Sequence, residues 1–252
     1  MPDSTRVVLV HGFTQSAAAW PRTIVDGLSR LPADVVAVDV PGHGRRSHVR
    51  ADLTQAAALL AEEGPADFVG YSMGGRLALH VASIHPEAVR KLVLIGASPG
   101  IESEAERQAR RDADEELARF VEREGVERFL ERWMANPLFS TLPPAAAALD
   151  ARVVNTAEGL AASLRLMGTG SQESLWEALP ALHHEVLMVA GELDEKFAAI
   201  ARRMAEAWGG PARVELVARA GHAAHLERPD VVRELLVDFL HDTTSAVTSR
   251  RP

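Results

Sequence analysis

The sequence predicts an α/β protein with a mostly parallel sheet that is flanked by helices. Six short apolar runs rich in Val, Ile and Leu recur along the 252 residues, and Gly, Pro, Asp or Ser follows most of them. Unbroken apolar runs of this kind are typical of strands that are covered on both faces. Helix-length segments separate most of the runs, and this alternation of strand and helix favours parallel pairing.

The predicted elements alternate in a regular order. Strands are predicted at residues 6–10, 35–40, 68–71, 92–95, 186–190 and 214–217. Helices are predicted at residues 20–31, 53–63, 73–84, 197–208 and 229–241. The last residues, 243–252, are expected to form a frayed tail.

Residues 102–176 interrupt this alternation because they contain no convincing strand. The segment opens with a long charged helical stretch, and further helices are predicted near residues 145–155 and 158–167. An all-helical insertion after the fourth strand predicts a cap over the carboxyl edge of the sheet. We therefore predict a core domain formed by residues 1–101 and 177–252, and a helical cap formed by residues 102–176.

The composition excludes several classes of protein. The chain has no cysteine, which excludes disulfides and thiolate metal sites, and its formal net charge of −8 disfavours nucleic acid as a partner. Residues 1–12 lack the pattern of a signal peptide, and no apolar run approaches the roughly 20 residues that span a bilayer. We expect a cytoplasmic protein without membrane insertion. The composition leaves the oligomeric state open.

The strongest motif is G-Y-S-M-G at residues 70–74, between a predicted strand and a predicted helix. This context predicts a nucleophile elbow, a turn so tight that only small residues such as Gly70 and Gly74 fit beside Ser72. The pentapeptide alone also arises by chance in Gly-rich loops. Its position between strand and helix favours the catalytic interpretation, with Ser72 as the reactive side chain.

A serine needs a partner base, and the chain order serine, acid, histidine predicts where the partners lie. His222 follows the last predicted strand, and Asp194 follows the strand before it. His225 is the nearest alternative base and Glu192 the nearest alternative acid, although Glu192 lies closer to the strand end. In a triad the carboxylate fixes the imidazole tautomer and stabilises its charged form.

A developing oxyanion needs hydrogen-bond donors that are fixed in advance. The backbone N–H of Met73, directly after the serine, is one candidate. The second should come from the loop after the first strand, and we assign it to the N–H of Phe13 in the sequence His11-Gly12-Phe13. A simple strand-ending turn is the alternative explanation of this sequence.

Several arginines are candidates for binding an anionic substrate. Arg76 lies four residues after Ser72, one turn into the elbow helix. Arg110 or Arg111, and Arg152, lie in the predicted cap. The cap arginines also fit a solvated helix face with carboxylate partners at i,i+4 spacing, so spacing alone does not decide their role.

Longer segments of the chain resemble a known family. The segments are HGFTQSAAAW, DVPGHG, GYSMGGRLAL, GASPG, ERQARRDADEELA, FLERWMANPLFSTL, AGELDEKF and GHAAHLERP. Together they resemble the 2-succinyl-6-hydroxy-2,4-cyclohexadiene-1-carboxylate synthases of menaquinone biosynthesis, which have the α/β-hydrolase fold. The resemblance runs from about Val7 to Leu240. The discriminating pieces are Gly-Gly-Arg at residues 74–76, Trp-x4-Leu-Phe-Ser at 133–140 and Asp-x-Lys-Phe at 194–197.

The resemblance implies a lyase and not a hydrolase. Such an enzyme eliminates pyruvate from 2-succinyl-5-enolpyruvyl-6-hydroxy-3-cyclohexene-1-carboxylate, with Ser72 as a proton-abstracting base. The resemblance implies a small-molecule substrate with several carboxylates. The implied reaction requires neither a metal nor an organic cofactor. The implied substrate-binding residues are Arg76, Arg110, Arg152, Tyr71, Trp133 and Phe139.

Two other functions stay open from the residues alone. A serine hydrolase acting on a small ester, a lactone or a carbon–carbon bond would use the same triad, because a fold does not fix a function. A non-catalytic receptor could keep the fold, but it would have no need for Ser72, Asp194 and His222 together.

Overall fold

The computed structural model describes residues 5–241 and contains a six-stranded sheet in which every neighbouring pair is parallel. The strand order is β2-β1-β3-β4-β5-β6. The strands are β1 Thr5–Val10, β2 Ala33–Val38, β3 Ala66–Tyr71, β4 Val89–Ile95, β5 Glu185–Gly191 and β6 Ala212–Val217. The predicted fold class is therefore confirmed.

The second strand was predicted to end two residues too late. β2 ends at Val38, and the backbone N–H of Val40 donates to Nε2 of His11 at 3.2 Å. The chain therefore leaves the sheet at Asp39, because the Val40 N–H donates to the side chain of His11 and not to a backbone carbonyl of a neighbouring strand.

Helices cover both faces of the sheet. The core helices are α1 Arg22–Leu28, α2 Leu53–Ala61, α3 Met73–Ile84, α6 Glu195–Ala207, α7 Ala224–Glu227 and α8 Pro229–His241. Helices α2, α3 and α6 pack on one face, and α1, α7 and α8 pack on the other. The predicted helices at 73–84 and 229–241 have the bounds that the structure shows.

The two-sided packing explains why the strands are apolar throughout. In β1, Val8 and Val10 face the cluster with α3, while Val7 and Leu9 face the cluster with α8. All four are fully buried, and each such side chain contributes about 1.5–3 kcal/mol of transfer free energy. The residues of this continuous apolar run therefore point alternately to the two faces of the sheet, and both faces are buried.

Residues 102–176, which are predicted to form the cap, contain no strand and include two helices, α4 Glu104–Met134 and α5 Ala157–Met167. Gly125 kinks α4, because its backbone has the non-helical angles φ 81° and ψ 172°. The two helices enclose a small apolar cluster of their own, which includes Val121, Phe129 and Leu160.

The prediction of a helix near residues 145–155 is wrong. The structure has two short 3-10 turns there, Pro144–Ala146 and Leu149–Ala151. Ala148 between them is left-handed, with φ 52°, and this conformation cannot continue a right-handed helix. The predicted tail at residues 243–252 lies outside the described residues. Within residues 5–241, no helix is both long and apolar enough to cross a bilayer.

Candidate active site

The turn between β3 and α3 presents Ser72 at the carboxyl edge of the sheet. Ser72 has φ 50° and ψ −109°, a strained conformation for a residue with a side chain. A Cβ on Gly70 would lie 2.5 Å from the Gly74 carbonyl oxygen, and one on Gly74 would lie 2.6 Å from the His11 carbonyl oxygen. Glycine at both positions is therefore a steric requirement of the turn.

Ser72, His222 and Asp194 form one hydrogen-bonded chain. Nδ1 of His222 lies 2.8 Å from Oδ2 of Asp194, and its Nε2 lies 3.1 Å from Oγ of Ser72. The carboxylate only accepts hydrogen bonds, so Nδ1 carries the proton and Nε2 is free to accept from the hydroxyl. His222 is buried, with 3% of its surface exposed, which limits the orientations of its ring.

The alternative residues lie outside this chain. The ring of His225 packs against Tyr71 at 4.1 Å and Trp20 at 5.1 Å between centroids, and burial lowers its pKa to about 3. Glu192 accepts a hydrogen bond from the backbone N–H of Arg219 at 3.3 Å. Neither side chain contacts the Ser72 hydroxyl.

The two predicted oxyanion donors are among the backbone N–H groups near Ser72 that have no acceptor within residues 5–241. They belong to Met73, the first residue of α3, and to Phe13, in the loop after β1. Both residues line the same cavity as Ser72. Unpartnered donors fixed beside a nucleophile are what an oxyanion hole requires.

Two buried histidines hold the Phe13 loop in place. Nε2 of His43 accepts from the Thr14 N–H at 3.3 Å, and Nε2 of His11 accepts from the Val40 N–H. Burial lowers the pKa of His11 to about 4 and that of His43 to about 3, so both rings are neutral at pH 7. The motifs that contain His11 and His43 are visible in the sequence, but this supporting role is not predictable from them.

A cavity of about 660 Å³ is lined both by residues next to the carboxyl edge of the sheet and by residues of the segment 102–176. Its lining includes the following predicted site residues: Phe13, Tyr71, Ser72, Met73, Arg76, Arg110, Trp133, Phe139, Arg152 and His222. Asp194 does not line the cavity and reaches it through His222. The structure thus brings together residues that are up to 209 positions apart, Phe13 and His222.

Arg76 is buried in the wall of this cavity. Its Nη1 donates to Oε1 of Gln172 at 2.9 Å, and its Nη2 donates to the Met167 carbonyl oxygen at 2.9 Å. Burial, followed by the charge of Arg110, lowers the pKa of Arg76 to about 10. The guanidinium therefore stays charged at pH 7, with neutral partners only.

Arg110 lines the cavity and Arg111 does not. Nε of Arg110 donates to Oδ1 of Asp114 at 2.9 Å, the i,i+4 partner in α4. Arg111 donates to the Gly170 carbonyl oxygen at 2.8 Å and to Oε1 of Glu104 at 2.5 Å. This placement favours Arg110 over Arg111 as a ligand for an anion in the cavity.

Arg152 is almost completely buried, with 1% of its surface exposed. Its Nε donates to the Ala147 carbonyl oxygen at 2.8 Å, and its Nη1 donates to the hydroxyl of Thr14. Burial lowers its pKa, and the nearby Tyr71 partly opposes this shift. The guanidinium thus ties the loop after β1 to the cap.

The lining also includes residues without a predicted role, among them Trp176, Lys196, Phe197 and Arg203. The ring of Phe197 lies 4.5 Å from that of His222, and the Arg203 guanidinium stacks 3.8 Å above Trp176. Lys196 and Phe197 belong to the Asp-x-Lys-Phe motif, which was a usable signal. The sequence near Trp176 and Arg203 contains no motif that predicts a role for them, because the two residues are distant in the sequence and meet only in the folded chain.

The chain matches known proteins over nearly its full length. The alpha/beta hydrolase family matches residues 7–235. A relative from Bacillus subtilis is 37% identical over 94% of this chain and 90% of its own length. The 2-succinyl-6-hydroxy-2,4-cyclohexadiene-1-carboxylate synthases of Enterobacter sp. and Salmonella agona are 31% and 33% identical, each over 95% of this chain and over 93% and 95% of their own lengths.

Solved structures agree with these matches. The structure of MenH from S. aureus superimposes with a TM-score of 0.85 at 29% identity, covering 96% of this chain and 95% of that one. An enol-lactonase from Burkholderia xenovorans, 23% identical with a TM-score of 0.76 over 95% of this chain and 92% of its own, shares the fold. The chain therefore belongs to the alpha/beta hydrolase family and, within it, to the group of the 2-succinyl-6-hydroxy-2,4-cyclohexadiene-1-carboxylate synthases.

Proposed function

We propose that the chain is a lyase that eliminates pyruvate from 2-succinyl-5-enolpyruvyl-6-hydroxy-3-cyclohexene-1-carboxylate. The product is 2-succinyl-6-hydroxy-2,4-cyclohexadiene-1-carboxylate, the compound that names the synthases to which the chain is similar. The observation that carries the proposal is that Arg76, Arg110 and Arg152 line the same cavity as Ser72 and His222.

Three guanidinium groups in one cavity suit a polycarboxylate. The chain as a whole is acidic, with a net charge of −8, and would repel an anion at long range. Inside the cavity, arginine binds carboxylates with two parallel hydrogen bonds and holds its charge when buried. Arg76 keeps neutral partners, so its charge is available to the substrate.

The proposed reaction begins with removal of a carbon-bound proton. His222 Nε2 accepts the proton of the Ser72 hydroxyl while Ser72 Oγ takes the proton from the substrate carbon. The electron pair of the C2–H bond forms the C2=C3 bond, the electron pair of the ring C3=C4 bond shifts to form C4=C5, and the C5–O bond to the enolpyruvyl group breaks. Ser72 keeps the substrate proton, and His222 passes its proton to the departing enolate, which leaves as pyruvate. The triad is thereby restored, and no acyl-enzyme forms.

The remaining side chains stabilise and enclose the charge that develops. The N–H groups of Met73 and Phe13 would donate to the oxygen onto which negative charge spreads. Tyr71, Trp133 and Phe139 form an aromatic wall, with Phe139 6.4 Å and Tyr71 5.5 Å from the His222 ring centroid. Such a wall excludes water and strengthens the electrostatic interactions inside the cavity.

The cap completes the cavity in this proposal. Arg110 and Arg152 come from residues 102–176, whereas Ser72 and His222 come from the sheet domain formed by residues 1–101 and 177–252. We propose that these two units correspond to a core domain and a substrate-binding cap. We also propose a cytoplasmic enzyme that binds no nucleic acid, since the chain has no cysteine and is acidic.

Incubation with freshly prepared enolpyruvyl substrate tests the proposal. We expect one pyruvate per substrate, and we expect Ser72→Ala to abolish its release while the protein stays folded. A triple variant of Arg76, Arg110 and Arg152 to alanine should lose most of its kcat/KM. Unchanged kinetics in the triple variant would refute the polyanion cavity. A burst of acyl-enzyme with fast turnover of p-nitrophenyl esters would instead identify a hydrolase.

A further inference from the structure

Lysine is rare in this chain, which has 25 arginines and only two lysines, Lys91 and Lys196. Lys196 is the second residue of α6 and lies two positions after Asp194. Lys196 is one of the residues that line the cavity containing Ser72 and His222. One of two lysines in the chain therefore sits at the candidate active site.

The position of Lys196 is unfavourable for helix stability. The first turn of a helix carries partial positive charge, so a cation there is destabilising. Asp194, the N-cap, and Glu195 supply the acidic groups that this helix end prefers. Lys196 is thus a residue whose charge local structure does not explain.

The other cations that line the cavity all have protein hydrogen-bond partners. Arg110 pairs with Asp114, and Arg203 binds both carboxylate oxygens of Glu102 at 2.6 and 2.7 Å. Arg76 and Arg152 donate to neutral groups. Among residues 5–241, Lys196 makes neither an ion pair nor a hydrogen bond, and its Nζ lies 5.8 Å from the ring centroid of Phe197.

Phe197 connects this cation to the reactive centre. Its ring lies 4.5 Å from the ring of His222, and both residues line the cavity. Arg76, Arg110 and Arg152 reach the cavity from α3 and residues 102–176, whereas Lys196 and Arg203 reach it from α6, where Arg203 is paired with Glu102. A bound polycarboxylate would therefore meet a cation on the α6 side as well.

We propose that Lys196 is a further substrate-binding residue, whose ammonium group pairs with one carboxylate of the substrate on the α6 side of the cavity. The inference rests on the proposed function, because it takes a polycarboxylate as the ligand. The carboxylate belongs either to the pyruvyl group or to the succinyl-bearing ring.

Steady-state kinetics of Lys196→Gln tests the inference. Loss of a charge-assisted hydrogen bond should raise KM about 10-fold or more, while kcat changes less than 3-fold. Lys196→Arg should recover most of the loss. Arg202→Gln is the matched control, since Arg202 is an exposed cation of α6 that does not line the cavity. If KM of Lys196→Gln equals that of the control, Lys196 does not bind substrate.

Amine labelling gives a readout that does not depend on turnover. Ser72→Ala protein is treated with an acetylating reagent, and acetylation of Lys196 is measured by mass spectrometry with Lys91 as the internal reference. Saturating enolpyruvyl substrate should slow labelling of Lys196 at least 5-fold relative to Lys91. Equal labelling with and without substrate would overturn the inference.

Labelling in the presence of pyruvate or of the product identifies which carboxylate Lys196 contacts. Assays of pyruvate release separate the proposed function from the proposed Lys196 contact. Protection by pyruvate assigns the contact to the pyruvyl group, and protection by the cyclohexadiene product assigns it to the ring side. Wild-type protein that releases no pyruvate would refute the proposed function itself. Normal pyruvate release together with an unaffected Lys196→Gln variant would refute the lysine contact alone.

Discussion

Arg76 donates a hydrogen bond to a neutral amide, Oε1 of Gln172, at 2.9 Å, and to no carboxylate within residues 5–241. Gln172 is fully buried, and its amide fixes the guanidinium without neutralising it. Gln172 thus orients the Arg76 guanidinium and leaves its positive charge available to a bound anion. A site that binds a substrate carboxylate differs in this way from an internal salt bridge, in which the charge is already paired.

Gln172→Glu should therefore impair substrate binding more than Gln172→Ala. The new carboxylate would pair with Arg76 and compete with the substrate carboxylate. We expect KM to rise at least 10-fold in Gln172→Glu, by analogy with the strength of charge-assisted hydrogen bonds, and only a few-fold in Gln172→Ala. Steady-state pyruvate release measures both. An equal KM in the two variants would contradict this role of Gln172.

Asp194→Asn should lower kcat strongly while leaving the fold intact. The amide no longer holds Nδ1 of His222 as the donor, so Nε2 can no longer accept from Ser72; in serine proteases the same change costs about 10⁴-fold. Asparagine still caps α6 at the Phe197 N–H, so Tm should change little. Glu192→Gln is the control and should keep kcat within 2-fold. A similar kcat in both variants would remove Asp194 from the mechanism.

The buried histidines should make the protein sensitive to acid. His11, His43 and His225 have pKa values of about 4, 3 and 3 in the folded chain because burial disfavours their charged forms. An unfolded chain takes up these protons near pH 6.5. The free energy of unfolding therefore has its full value above pH 6.5. It falls as the pH drops toward 4, by roughly 3 kcal/mol or more for each ring.

Urea unfolding between pH 7.5 and 4 measures this effect. His225→Phe should reduce the slope by up to about 1.4 kcal/mol per pH unit, because one proton fewer is taken up on unfolding. His48→Gln, at an exposed position, is the control and should leave the slope unchanged. Equal slopes for His225→Phe and wild type would show that the imidazole of His225 is protonated in the folded chain.

Gly74→Ala should damage the site through the backbone. The added methyl group would overlap the Val10 carbonyl oxygen and approach that of His11 to 2.6 Å, so the elbow and the loop that carries Phe13 would have to separate. We expect kcat/KM to fall by more than 100-fold, since shifts of about 1 Å at a reacting group cost this much.

Gly125→Ala gives the contrasting result. Gly125 has φ 81° and ψ 172°, but a Cβ there would meet no atom within 4 Å. The change should cost about 1–3 kcal/mol of stability through backbone strain, with kcat/KM unaffected. Thermal unfolding and kinetics of the two variants, measured together, separate the effects. Equal losses of activity would show that Gly74 matters only for folding.

Local patterns in the sequence were sufficient for the sheet and for the elbow. The strands are unbroken apolar runs because both faces are buried, and the elbow needs Gly70 and Gly74 beside Ser72 for steric reasons that hold in any protein with this turn. The helix predicted near residues 145–155 failed because the left-handed Ala148 divides the segment, and its conformation depends on the surrounding cap.

The sequence by itself determined the fold, the order of Ser72, Asp194 and His222, and the family, because these depend on short-range periodicity and on steric rules within a few residues. Only the tertiary structure decided which cations share the cavity and which carry a neutralising partner. Arg110 lines the cavity and Arg111 does not, and Lys196 makes no ion pair within residues 5–241. Charge pairing across distant segments depends on distances that the folded chain alone sets.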